Sequence, residues 1–453
     1  MTAGTQATAI LDRVRERDLR LVRFLWCGND GIVRGKGSGI HGLEGRLASG
    51  VGLTVGLQAM NALDQLQPVD GMGPVGEVRL VPDLDTFVVL PYAPRSGALL
   101  TSHRTLDGAP APVCQRSFLQ RQIDRLAERG LRAEVAFENE FTLAEAVDDV
   151  PAPVDQSLYA STVGFAAAAP YVDALLDALD RQGIVLEQYY PELGHGQQEI
   201  STTHRPALRA ADEQILVRET IRGVATARGQ IASLSPKPWS DAAGNGGHIH
   251  VSLWDAERED NRLYDGGDEH GLSREARAFI AGVLDHLPGL CALTAPSVAS
   301  YQRIVPAFWA GAFTCWGFDN REAPVRVPSV FGNREEASTN IELKAADATC
   351  NPYLAVGGLL AAGLDGLERE LTAPEPVQVD PATLAEGERT QRGIARLPES
   401  QGDALDALEA DTTLTDALGP VLAGSYVAVR RSEGTAYAEG GEAMVQAGHF
   451  QKY

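Results

Sequence analysis

Five short segments between Phe137 and Lys344 stand out, and four of them carry six side chains that can bind hard metal ions. Any fold for this chain must bring them to one place. They are Phe137-Glu-Asn-Glu-Phe141, residues 191–199, residues 245–250, residues 320–326 and Ile341-Glu-Leu-Lys344, and the six are Glu138, Glu140, Glu192, Glu199, His248 and Glu342. Five carboxylates and one histidine suit Mg²⁺ or Mn²⁺ rather than zinc or copper. Glu138 and Glu140 are two apart in a strand-like run, so both face one side of a sheet, with Phe137 and Phe141 on the other. An acidic pair facing the same way repels itself unless a cation lies between. A solvent-facing charged edge is the alternative reading.

Glu192 and Glu199 bracket Leu-Gly-His-Gly-Gln-Gln, whose two glycines let the loop fold back so that both carboxylates reach one centre. Taken alone, this is also what a polar surface loop looks like, with His195 a loop residue. Residues 245–254 couple a glycine-rich turn to a strand with His248, His250 and Ser252 on one face. Glycines there allow backbone to approach a ligand. Arg321 and Arg326, with Arg303 and Lys344, form a cationic set in an acidic chain. Arginine forks match phosphate and carboxylate oxygens, and salt-bridged arginines are the alternative. Glu342 and Lys344 share a strand face. The chain has no GxxxxGK[ST], so ATP would bind by another route.

The 453 residues are enough for two or three domains and a large core. A formal net charge of -22 argues against nucleic acid or an anionic membrane surface as main partner. The N-terminus lacks a secretory layout, and the longest small-apolar run, residues 354–364, falls far short of a bilayer span. Five dispersed cysteines read as reduced thiols in a cytoplasmic protein. Periodicity predicts a helix over 7–20, then strands at 21–26, 32–36, 76–81 and 86–90, making residues 1–105 a small α+β domain. A turn-rich stretch at 106–112 opens a second domain, 106–453. Helices are expected at 116–130, 171–182, 207–229, 352–371 and 401–434, strands at 132–137, 184–190 and 248–253, and an exposed loop at 373–400. This mixture favours an α+β class.

In order, the motifs run Glu-x-Glu, Pro-Glu…Gly-Gln-x-Glu, Gly-His-x-His-x-Ser-Leu, Asn-Arg…Arg-x-Pro, Ile-Glu and Asn-Pro-Tyr. This series resembles the glutamine synthetase family over nearly the whole chain. The resemblance implies a small N-terminal β-grasp domain and a larger catalytic domain with a curved antiparallel sheet. It implies ATP and two or three Mg²⁺ (or Mn²⁺) ions. Glu140, Glu192 and Glu199 would hold the ion nearer the amino-acid substrate, and Glu138, His248 and Glu342 the ion among the ATP phosphates. It further implies that Arg321 and Arg326 contact phosphate, that Arg303 holds the glutamate carboxylate, that Lys344 touches both substrate carboxylate and phosphate, and that Ser252 lines the adenine pocket. Asn245 and Gly246 belong to the loop that seats glutamate, and Arg303, Arg321 and Glu342 are the expected catalytic residues. A dodecamer of two stacked hexameric rings is implied.

This chain departs from the family pattern where ammonium would bind. In the loop at 303–311, Trp309 stands where the family carries a glutamate, and the stretch at 50–58 has no counterpart of the family's ammonium-binding aspartate. Lys344 replaces an arginine, the Asn245–His248 loop is short, and no tyrosine occurs between Tyr353 and Tyr426 for nucleotidylation. Trp and apolar residues suit an amine that carries carbon. The expectation is therefore a ligase joining glutamate to an organic amine through a γ-glutamyl phosphate, of the type that uses polyamines or ethanolamine. Alternatives are a glutamine synthetase using ammonium and an inactive regulatory homologue.

Overall fold

The computed structural model describes residues 3–147, 150–330 and 332–453. In the N-terminal part, the helix Ala3–Glu16 turns Ile10 and Val14 onto Val22, Phe24 and Leu99. Six strands follow: β1 (Leu21–Cys27), β2 (Val33–Gly39), β3 (Val51–Thr54), β4 (Glu77–Pro82), β5 (Val88–Val89) and β6 (Ser96–Arg104). They form one sheet in the order β2-β1-β6-β4-β3, with β5 on β6; β1 and β6 run parallel. The β1–β2 hairpin closes at the expected turn, where Gly31 takes φ +76° and a Cβ would meet Thr349 O at 2.0 Å.

Strand β6 is absent from the sequence reading although it sits centrally in the sheet. Its residues from Ser96 to His103 are all buried, which removes the alternation that marks a strand. The expected strand at 86–90 shrinks to β5.

The second part is built on β7 (Leu131–Val147), a strand of 17 residues. The others are β8 (Val150–Pro153), β9 (Leu186–Pro191), β10 (Gln197–Thr202), β11 (Arg205–Pro206), β12 (Ile231–Ser233), β13 (Gly247–Asp255), β14 (Trp316–Phe318), β15 (Val325–Val327) and β16 (Ile341–Leu343). The path is β14-β15-β16-β13-β7-β10-β9, with β8, β11 and β12 also on β7. The curved sheet is mixed rather than antiparallel throughout, because β14 and β15 run parallel. Val135, Phe137, Phe141 and Leu143 leave the back of β7 for the main core. The helices Gln115–Glu128 and Ala207–Ala227 pack on β7. Between Glu138 and Glu140, Asn139 points backward and exchanges two hydrogen bonds with Gln214 of the second helix, at 3.1 and 2.6 Å. That buried amide pair locks β7 at the position where its carboxylates face forward.

The helix Arg274–Thr294, missed in the sequence, shows only a narrow exposed stripe through Arg274, Arg277, Asp285 and Pro288, and it packs along Pro352–Glu368. Their backbones touch: a Cβ on Gly366 would lie 2.1 Å from Ala278 O, and one on Gly282 2.3 Å from Ala362 O. By length and composition this helix and Thr162–Arg181 could each cross a membrane. The first is 83% buried within the fold. The second buries Tyr171, Leu175 and Leu179, with Phe141 5.9 Å from the Tyr171 ring.

The stretch 373–400 is not the exposed loop expected. Val377, Ile394 and Leu397 are buried, and Trp316 Nε1 donates to Pro374 O at 2.7 Å. Its short turns, Pro381–Thr383 and Glu386–Gln391, leave too few apolar residues in register to read as packed. The helical zone from 401 divides into Gln401–Ala410, Thr412–Leu418 and Pro420–Lys452. Gly419 (φ +82°) starts the last, and Gly441 (φ +72°) bends it. All five cysteines are buried and free.

Gly366→Ala is expected to destabilise the fold by about 3 kcal/mol through overpacking of the two helices, measured as a lower thermal midpoint. Gly387→Ala, on a short helix where nothing lies within 4 Å, is the control and leaves the midpoint unchanged or slightly raised.

Candidate active site

Register builds the site. On β7, Glu138 faces His248 of β13 and Ser201 of β10, while Glu140 faces Glu199 of β10. One step along, His250 of β13 faces Glu342 of β16, and Glu342 faces Arg326 of β15. Cross-strand partners share a sheet face, so five strands deliver these side chains to one concavity. Glu192 joins them from the β9–β10 hairpin, which closes where Glu192 N donates to Gln197 O at 2.9 Å. Gly196 takes φ +65° there, and a Cβ would strike Leu143 O at 2.4 Å.

One half of the concavity is electrically compensated. His248 Nδ1 lies 2.9 Å from Glu138 and 3.4 Å from Glu342, and His250 Nε2 lies 3.1 Å from Glu138. Arg326 and Lys344 reach Glu342 at 2.7 and 3.3 Å. Burial opposes ionisation of Glu342, but Lys344, His250 and His248 outweigh it and hold the carboxyl at about 2. Burial likewise opposes ionisation of Glu138, yet the two histidines keep it well below the usual range. His250, disfavoured by burial but flanked by Glu138 and Glu342, is raised to about 9. One ligand atom each from Glu138, His248 and Glu342 lie within 4.8 Å of one another.

The other half lacks that compensation. Burial, with the charges of Glu140 and Glu138, pushes Glu199 up to about 9, although Tyr190 donates a hydrogen bond to it. Burial and Glu140 push Glu192 up to about 7 against a weak pull from Arg321. Glu140 itself accepts from Gly246 N and Gln197 Nε2, both at 2.9 Å. Three carboxylates converging with so little positive charge form a donor set for a divalent cation.

A cavity of about 480 Å³ contains Glu138, Glu140, Glu192, Glu199, His248, Arg303, Trp309, Arg321, Arg326 and Lys344 on its walls. Arg303, buried at the end of the short helix Ser300–Arg303, donates to Ala346 O at 2.6 Å. Among the described residues the buried Nε atoms of Arg303 and Arg326 have no hydrogen-bond partner. Trp309 (φ +54°) is 53% exposed at the mouth beside Phe308; its N–H donates to Glu322 and Arg321 lies 5.9 Å from its ring. A second cavity of about 520 Å³ adjoins the first at Glu138, Gln188, His250 and Pro328, and Ser252 and Trp254 line it.

Two expected residues are placed differently. Asn245 is fully buried and does not face the cavity. Its amide donates to Ser235 O at 2.9 Å and accepts from Gln197 Nε2 at 3.0 Å. It therefore fixes the side chain that holds Glu140, because glycines on its C-terminal side let the turn sink into the sheet edge. Gly246 acts through its backbone, and a Cβ there would meet His248 Nε2 at 2.7 Å. The stretch 50–58 does not reach the cavity within one chain. The site also contains residues that sequence reasoning did not assign to it: His250, Gln197, Tyr159, Tyr190, Lys237 and Phe308. The Gly-Gly-His-Ile-His spacing pointed to His250; Tyr159 and Lys237 lie in segments without any motif.

A family model for the glutamine synthetase catalytic domain matches residues 112–448, and one for the glutamine synthetase N-terminal domain matches residues 5–111. The γ-glutamylpolyamine synthetase GlnA3 of Streptomyces coelicolor is 37% identical over 94% of this chain and 92% of its own length. A glutamine synthetase of Mycobacterium tuberculosis is 33% identical over 95% of this chain and 96% of its own. A solved structure of a novel glutamine synthase homolog superposes with TM-score 0.86 at 34% identity, covering 96% of this chain and 99% of the other. The GmaS/ADP complex superposes with TM-score 0.83 at 26% identity, covering 95% and 96%.

Because Glu199 and Glu192 hold protons up to about 9 and about 7, Mg²⁺ binding at pH 7 is expected to release on the order of one proton. Calorimetry in buffers of different ionisation enthalpy measures it. The linkage sign follows: these folded-state values lie above the unfolded one. The metal-free protein therefore loses stability as pH rises from about 4.5 towards 9, and Mg²⁺ restores it.

Proposed function

The chain belongs to the glutamine synthetase family, and from that premise we propose that this ligase joins the side-chain carboxylate of glutamate to an organic amine, using ATP. The single observation that carries the choice of amine is Trp309. A half-exposed indole, its backbone N–H anchored on Glu322, occupies the mouth where the family places an acid for ammonium. The 37% identity to a protein named γ-glutamylpolyamine synthetase supports the same reading.

The family uses ATP and divalent metal ions. The residues here fit such ions. Glu138, His248 and Glu342 would hold one, and Glu140, Glu192 and Glu199 another, with room in the donor set for two or three Mg²⁺ or Mn²⁺. Bound there, the ions neutralise phosphoryl oxygens and so assist transfer of the γ-phosphoryl group to a carboxylate.

The chain's own residues do the rest. Arg321 and Arg326 present guanidinium donors to phosphate oxygens, and the cavity beside Ser252 takes the nucleoside. Arg303, with its free Nε, and Lys344 hold the carboxylates of glutamate, while Gly246 keeps Glu140 in place through its N–H. The γ-carboxylate oxygen attacks phosphorus and ADP leaves. The amine nitrogen then attacks the acyl carbon, the C–O bond to phosphate breaks, and the amide forms with loss of the amine proton. Trp309 and Phe308 shield the carbon portion of the amine from water.

Family members are typically oligomeric. The assembly proposed is a cytoplasmic dodecamer of two hexameric rings. Among the described residues none before Glu138 lines the first cavity, which supports completion of the site by a neighbouring copy's N-terminal part. The second reading is a glutamine synthetase using ammonium, favoured by the 33% identity to such an enzyme.

The test is ATP turnover with glutamate and a panel of amines against ammonium. An organic amine is expected to be the best acceptor, and Trp309→Glu is expected to shift the ratio of specificity constants towards ammonium by about tenfold or more. Ammonium as the best acceptor of the unaltered enzyme, with no change in ranking for Trp309→Glu, contradicts the proposal.

A further inference from the structure

The segment beyond the Gly441 bend turns back and buries Val445, His449, Phe450 and Tyr453. Its end is fastened to the N-terminal part, where Tyr453 OH donates to Asp30 O at 2.7 Å. Midway, Phe450 lies 5.1 Å from the ring of Trp239. Trp239 Nε1 donates to His195 O at 3.0 Å, and His195 is at the tip of the hairpin that carries Glu192 and Glu199. The loop of Trp239 continues to Gly244, where a Cβ would meet the Arg303 side chain at 3.0 Å. One aromatic contact from the C-terminal segment thus backs a loop that touches both the acidic hairpin and the arginine.

The hairpin tip needs this support. Its closing hydrogen bonds, Glu192 N to Gln197 O and Gln197 N to Gly194 O, are internal, and Gly196 is tied to Leu143 and Asp155 on one side only. On the other side the indole reaches the tip at His195 O, while Gln197 Nε2 donates to Gly244 O and Asn245 Oδ1 nearer the strands.

We propose that Phe450 and Trp239 are positioning residues that act as one unit, holding the 192–199 hairpin so that Glu192 and Glu199 converge with Glu140. The proposal rests on the ion-holding role given to these carboxylates above. Neither residue touches substrate.

The experiment compares Phe450→Ala, Trp239→Phe, the double variant and Phe450→Tyr. Hydrogen exchange across residues 192–199 is read in the metal-free full-length protein, and Mg²⁺ affinity by calorimetry. Trp239→Phe keeps a ring against Phe450 but removes the donor to His195, so the relay can still be tested if Phe450→Ala fails to fold. Faster exchange at 192–199 and a Mg²⁺ dissociation constant raised about 3- to 10-fold are expected for each single variant, the size of one lost hydrogen bond. The turnover number at saturating Mg²⁺ stays within about twofold. The double variant is expected to be no worse than either single one, and Phe450→Tyr restores both readouts. Unchanged exchange at 192–199 in Trp239→Phe overturns the proposal, as do single effects that add in the double variant. A wrong assignment of the amine leaves these readouts untouched, so the two failures are separable.

Discussion

The rest of the site depends on mutual repulsion among carboxylates that a β-sheet forces onto one face. Period two puts Glu138 and Glu140 together, and antiparallel register adds Glu199 and, through β13 and β16, Glu342. The protein resolves this on one side only. His248, His250, Lys344 and Arg326 surround Glu138 and Glu342 and keep them ionised. Glu140 has His248 Nε2 at 3.7 Å on one side, whereas burial and the charge of Glu140 leave Glu192 and Glu199 holding protons. A sheet with one neutralised half and one half of carboxyls that can release protons is poised to take positive charge at a defined place.

Most of the fold's remaining features keep that face rigid. The Asn139–Gln214 pair pins β7 from behind, the buried Asn245 pins Gln197, and glycine at 246 lets backbone approach Glu140. Repulsion between fixed carboxylates would otherwise be relieved by side-chain or strand movement. A rigid frame is what turns repulsion into affinity for an ion.

The sequence made part of this legible, and the divide is physical. Period-two spacing and glycine-flanked histidines report on one face of a strand, so Glu138, Glu140, His248 and Glu342 stood out, and the ordered motifs carried the family. The strand β6, buried from Ser96 to His103, has no alternation to read, and the helix Arg274–Thr294 shows only a narrow exposed stripe. Asn245 read as a ligand-facing loop residue, because a polar side chain in a glycine turn does not show that its hydrogen bonds point inward. Tyr159, Lys237 and Phe450 reach the site or its support from distant segments, and only tertiary packing brings them there. The stretch 373–400 read as exposed because its few apolar residues, Val377, Ile394 and Leu397, are irregularly spaced, yet each is buried.

The central claim is that each half of this face takes a divalent ion, the compensated half by adding a ligand set to existing balance and the anionic half by completing it. Anomalous diffraction from crystals grown with Mn²⁺ and ADP measures this directly. The account predicts one peak among Glu138, His248 and Glu342 and another among Glu140, Glu192 and Glu199. Manganese absent from the second position, with Glu192 and Glu199 turned away from Glu140, would contradict it.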